Sequence, residues 1–132
     1  MKGGGHILNS MIIERDFSIE EFIKKLNDPR IGAIVSYLGL VKDKDNKIKG
    51  MKVDVSNETA EEIEDLKKEA LEDFDIEKVE IVLRKGLLKI GDNILIILIG
   101  AKHRKDAFRA CEYLIDKLKM SKTIKMREIK AG

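Results

Sequence analysis

The longest apolar run of the chain, Ile94 to Ala101, has the length of a strand and falls well short of the roughly 18 residues of a bilayer-spanning helix. Around it the hydrophobic pattern switches between strand-like and helix-like periods, so a core must come from packing amphipathic helices on a sheet. Ile7 to Ile13 reads as a first strand, after a glycine-rich opening, MKGGGH, expected to be loosely held through residue 6. Ser18 and Glu21 have capping-box spacing, and Ile19, Phe22, Ile23 and Leu26 recur at helical intervals until Asp28-Pro29 ends the pattern. Ile31 to Val41 and Ile48 to Val55 read as strands joined by the charged turn Lys42 to Lys47, together a long central hairpin.

Asn57 is placed to cap a second helix, with Ala60, Ile63, Leu66, Ala70, Leu71 and Phe74 on one face. Its first turns carry Glu58, Glu61, Glu62 and Glu64, the favourable polarity for a helix N-terminus. Val79 to Arg84 and Asn93 to Ala101 read as strands linked by a tight connection, Lys85 to Asp92, framed by Gly86 and Gly91. A third helix from Arg104 presents Ala107, Ala110, Cys111, Leu114, Ile115 and Leu118, and Thr123 to Lys130 reads as a last, basic strand. The expected class is α+β, one domain over residues 1–132, with three main helices on a mostly antiparallel sheet.

With 26 Lys and Arg against 24 Asp and Glu, the net charge of +2 gives no global reason to expect nucleic acid or a membrane surface. A single cysteine, Cys111, excludes an intrachain disulfide framework and cysteine-pair zinc sites, which fits the cytoplasm. His6 and His103 form no metal-binding spacing, and no phosphate-loop glycine motif is present, so neither a resident metal nor a cofactor is expected. Cys111 lies on the apolar helix stripe and reads as an inert thiol.

Charge is uneven along the chain. Residues 57–80 hold eleven acids against three lysines, whereas residues 101–132 hold ten Lys and Arg against four acids, which makes the last quarter an anion-binding candidate. Lys102-His103-Arg104-Lys105 stands where an apolar strand ends and a helix begins, so cationic side chains and free backbone N–H groups share one space that suits phosphate. Lys119 falls about 24 Å further along the same helix, so either the pocket lies elsewhere or a second subunit supplies one of the two groups.

Ala101-Lys102-His103-Arg104 with Ala107-Phe108 and Asp116-Lys117-Leu118-Lys119 resembles the AHR, AF and DxLK signature of the molybdopterin synthase large-subunit family. Gly32-Ala33-Ile34-Val35, Gly39-Leu40-Val41-Lys42, Arg84-Lys85-Gly86 and Gly91-Asp92 resemble its earlier segments in the same order. The resemblance implies an α/β hammerhead fold and a homodimeric sulfurtransferase that binds a small ubiquitin-like carrier ending in a Gly-Gly thiocarboxylate. It would move sulfur from that carrier to cyclic pyranopterin monophosphate. It further implies that Lys119 and Lys125 are catalytic and that Lys42, His103, Arg104 and Arg127 bind substrate. Lys119, crowded by Arg104 and other cations, would have a lowered pKa and act as a proton shuttle.

Lys42 stands where the family carries Arg, and Met126 falls, without a gap, where it carries a second lysine. A one-residue slip would put Lys125 there but would turn every side chain of a strand to the other face. These departures keep open a divergent, non-catalytic paralogue that binds the carrier or another anionic partner.

Overall fold

The computed structural model describes residues 12–132. The MKGGGH opening, His6 and most of the Ile7–Ile13 segment lie outside them; Ile12–Ile13 is β1. The order continues with α1 (Glu20–Ile23, prolonged by a 3-10 turn, Lys24–Leu26), β2 (Ala33–Leu40), β3 (Ile48–Asp54) and α2 (Thr59–Asp73). It ends with β4 (Lys78–Arg84), β5 (Gly86–Lys89), β6 (Asn93–Ala101), α3 (Arg104–Lys119) and β7 (Lys125–Lys130). The architecture is α+β, with two sheets ordered β1-β4-β6-β2 and β5-β3-β7. Every pairing is antiparallel except that of β1 with β4.

The long apolar run becomes β6, paired on both sides and alternating between two cores. Ile97 and Ile99 join α2, α3 and the smaller sheet through Ile63, Ala110, Leu114, Val53 and Leu88. Ile96 and Leu98 face the other way, under Phe17, Phe22 and Leu26. Ile97 and Leu114 are fully buried, and each such side chain contributes about 1.5–3 kcal/mol by leaving water.

Four expectations are corrected. The central hairpin does not form: among the described residues β2 pairs with β6 alone, while β3 crosses to the smaller sheet between β5 and β7. Asp45 and Asn46 at positive φ turn the chain between them. The connection after β4 is not a bare turn, since Gly86–Lys89 forms β5 against β3, with Leu88 buried and Leu87 outward. Gly50 of β3 is needed for that approach, because a Cβ there would lie 2.2 Å from the Leu88 carbonyl oxygen.

The remaining two concern helix starts. Ser18 and Glu21 make no capping box: the α1 N-cap is Ile19, and the Glu21 carboxylate instead takes Arg15 at 3.0 Å. Asn57 does not cap α2; Ser56 Oγ accepts from the Glu58 N–H at 3.1 Å and Thr59 Oγ1 from the Ser56 N–H at 3.0 Å. On α2, Leu71 is exposed, whereas Thr59 and Lys67 are buried.

Candidate active site

At the end of β6 the chain turns through Lys102 and His103 into α3. His103 is the N-cap in extended conformation (φ −128°, ψ 143°), and no side chain caps the helix. The first-turn N–H groups therefore open toward a concavity of about 600 Å³ walled by Lys102, His103, Arg104, Lys105, Arg109 and the start of β2. None of these cations is ion-paired among the described residues; Arg109 rests 5.7 Å from the Phe74 ring. Five exposed side chains, those of Lys102, His103, Arg104, Lys105 and Arg109, and a helix N-terminus stand here against one acid, Asp106, a chemistry that suits an anion. Its floor is tight: the Gly32 N–H donates to the Ala101 carbonyl at 2.9 Å, and a Cβ on Gly32 would lie 2.6 Å from the Lys102 carbonyl oxygen.

Lys119 closes the other end of α3 and lines a second cavity, of about 350 Å³. Tyr37, Leu40, Leu95, Ile115, Ile124 and Met126 make most of its wall, and Lys119 is its one charged lining residue. A slot of this kind excludes bulky polar groups and leaves one ammonium to meet an anion or a migrating proton. Its register is fixed by β7, in which Met126 pairs with buried Val53 and so turns toward this cavity. Lys125 and Arg127, one residue to either side, pair with Asp54 and Lys52 on the opposite face of the sheet.

The family model of the MoaE protein matches residues 12–121. The chain belongs to the MoaE family. Among curated relatives it is similar to the molybdopterin synthase catalytic subunit of Pyrococcus abyssi, 35% identical over 117 residues, 86% of this chain and 79% of that protein. It is also similar to the subunit of that name from Brucella melitensis, 32% identical over 124 residues, 92% of this chain and 76% of that protein. Among solved structures, molybdopterin synthase from Staphylococcus aureus superposes with a TM-score of 0.86 at 27% identity, covering 92% of this chain and 90% of that one.

In this MoaE-family chain the matched stretch contains His103, Arg104 and Lys119, while β7 lies beyond it. The fold brings His103 and Arg104 together with Lys102 and Lys105 of the same basic run, and adds Arg109, which the sequence did not point to. It does not bring them to Lys119, because the 16-residue α3 stands between, about 24 Å long. Within one chain Arg104 therefore does not crowd Lys119. Lys42, exposed just past β2, lines neither cavity, nor do Lys125 and Arg127. Cys111 is buried, and burial pushes its thiol up to about 11, as an inert packing group requires. The apolar wall of the Lys119 slot was missed, and β2 is the element common to both places: Gly32 and Ala33 abut the basic corner, Tyr37, Gly39 and Leu40 the slot.

Proposed function

We propose that this chain is the catalytic large subunit of a molybdopterin synthase, a cytoplasmic sulfurtransferase acting as a homodimer. It takes sulfur from the thiocarboxylated Gly-Gly end of a small ubiquitin-like carrier and places it on cyclic pyranopterin monophosphate. The observation that carries this reading is the division of α3 between two half-sites, a cationic corner at His103-Arg104 and an apolar slot ending in Lys119. A phosphate with a pterin suits the first, whose guanidinium and backbone donors match phosphate oxygens. A Gly-Gly tail suits the second, because it carries no side chains and ends in an anion that one ammonium can meet.

The two halves serve one reaction when a second protomer supplies the missing one. β2 lies at the edge of its sheet, runs from corner to slot, and carries Ile34, Leu38 and Leu40 exposed on its outer face. Two copies joined about a two-fold axis along this edge would set the corner of one against the slot of the other. In that arrangement Lys119 holds the carrier's terminus and moves the proton as the thiocarboxylate sulfur adds to the substrate and water then cleaves the acyl C–S bond, leaving sulfur on the substrate and the carrier as a carboxylate, while His103 and Arg104 of the other copy hold the phosphate.

Incubation with thiocarboxylated carrier and cyclic pyranopterin monophosphate tests the reading: dithiolene product is expected, and its absence with all components bound would refute catalysis. Met126 in the slot supports a second reading, a carrier-binding paralogue without turnover. Carrier binding without product would favour that paralogue.

A further inference from the structure

The segment between Lys119 and β7 is held from outside by α2. Glu62 Oε1 accepts from Ser121 Oγ at 2.6 Å and from Thr123 Oγ1 at 2.5 Å. Thr59, fully buried one turn earlier, donates to Thr123 Oγ1 at 2.9 Å, and Ser121 Oγ accepts from the N–H groups of Thr123 and Ile124 at 3.2 and 3.1 Å. The Thr59 hydroxyl also reaches the Thr123 carbonyl at 3.3 Å, and the chain of donors ends on the carboxylate.

This network sits at the root of the Lys119 slot. Lys119 precedes the clamped segment, Ile124 ends it and Met126 follows it, and all three line the cavity. A helix end and a strand start joined by so few residues have few ways to drift apart while Ser121 and Thr123 stay on Glu62.

We infer that Glu62 is a positioning residue for the reaction: by fixing Ser121 and Thr123 it sets where Lys119 stands relative to the Ile124–Met126 wall. The inference rests on the sulfur-transfer reading for its effect on rate, but not for its effect on the segment. Glu62 contributes an acceptor oxygen, and it stands among Glu58, Glu61, Asp65 and Glu69, where a fifth negative charge is no asset. Glutamine keeps the acceptor, and leucine removes it.

The experiment compares parent, Glu62→Gln, Glu62→Leu and Thr123→Val by steady-state kinetics and by amide exchange of Thr123 and Ile124 without substrate. Tyr113→Phe is the control, since it deletes a hydrogen bond that α2 makes to α3 itself, Tyr113 Oη to Glu69 at 2.8 Å, away from the slot. Glu62→Leu and Thr123→Val are expected to lose kcat by about tenfold to a hundredfold with KM for both substrates little changed. Both are expected to exchange faster at the two amides, while Glu62→Gln and Tyr113→Phe stay near the parent. Parental kcat in Glu62→Leu and Thr123→Val, a fall in Glu62→Gln as deep as in Glu62→Leu, or an equal fall in Tyr113→Phe overturns the inference. Should the parent itself make no product, the sulfur-transfer reading fails, and the exchange data alone decide the clamp: unchanged protection in Glu62→Leu refutes it.

Discussion

Replacing Gly32 by alanine tests whether the basic corner depends on backbone contact rather than on charge alone. The new Cβ would lie 2.6 Å from the Lys102 carbonyl oxygen, whereas carbon to carbonyl oxygen contacts settle at about 3.3 Å or more, so about 0.7 Å must be found. Little can yield on either side: Gly32 is tied to the Ala101 carbonyl at 2.9 Å, Ala33 pairs with Ala101, and the atom struck is itself backbone. Overpacking of this size costs about 1–3 kcal/mol, offset by about 0.4–1 kcal/mol because alanine restricts the unfolded chain. The net loss centres on about 1.3 kcal/mol, a fall in Tm of about 3–7 °C for a domain of this length. Relief by moving Lys102 also shifts His103 and Arg104, so pyrophosphate binding should weaken by roughly tenfold, one charge-assisted hydrogen bond. Calorimetric unfolding and titration with pyrophosphate read the two effects. A Gly32→Ala protein with parental Tm and parental affinity would show that the contact does not shape the corner.

Three further outcomes are expected. Leu114→Ala, at a fully buried position of α3, should cost about 2–5 kcal/mol in urea unfolding, and a loss below 1 kcal/mol would mean that the helix is not packed on the sheet as described. Lys119→Ala should lower kcat by about 10²–10⁴-fold, and product formation at the parent rate would remove Lys119 from the chemistry. Cys111 keeps its proton in the folded state up to about 11, whereas the unfolded thiol ionises near 9.0. Its contribution to stability is therefore complete below pH 9 and is lost as pH rises toward 11; Cys111→Ala should flatten that part of the stability profile, and an identical slope with and without the thiol would contradict the assignment.

Much of this fold was legible because its strongest signals are local. Of the α3 stripe, Ala107, Ala110, Cys111, Leu114 and Leu118 are buried as their spacing requires and Ile115 is partly buried, and the final strand forms in the expected place. What escaped was set by partners distant in sequence. The parting of β2 from β3 follows from β6 taking β2, and β5 shows only as Leu88 buried beside exposed Leu87, a pattern too short to stand out between two glycines. Caps failed for the same reason: Glu21 found Arg15, and α2 starts from Glu58 with no side chain capping it, Ser56 Oγ taking only the Glu58 N–H in the preceding turn. In the site, the clustered charges of residues 102–105 could be read directly. The wall of the Lys119 slot could not, because Tyr37, Leu95 and Ile115 are ordinary core residues until the fold assembles them around a lysine. The β7 register follows from its pairing with β3, with half-exposed Met126 on the Val53 face at the slot and Lys125 and Arg127 on the other face.

A site shared between protomers is tested most directly by mixing two inactive variants, Lys119→Ala and Arg104→Ala, after dissociation and reassociation. If His103 and Arg104 of one protomer serve Lys119 of the other, a heterodimer carries one intact site and one doubly broken site. Random reassociation at equal concentrations should then restore about a quarter of the parent activity from two proteins that have almost none. Activity that stays at the level of the separate variants, with heterodimers shown to be present, would contradict the shared site and return both half-sites to a single chain.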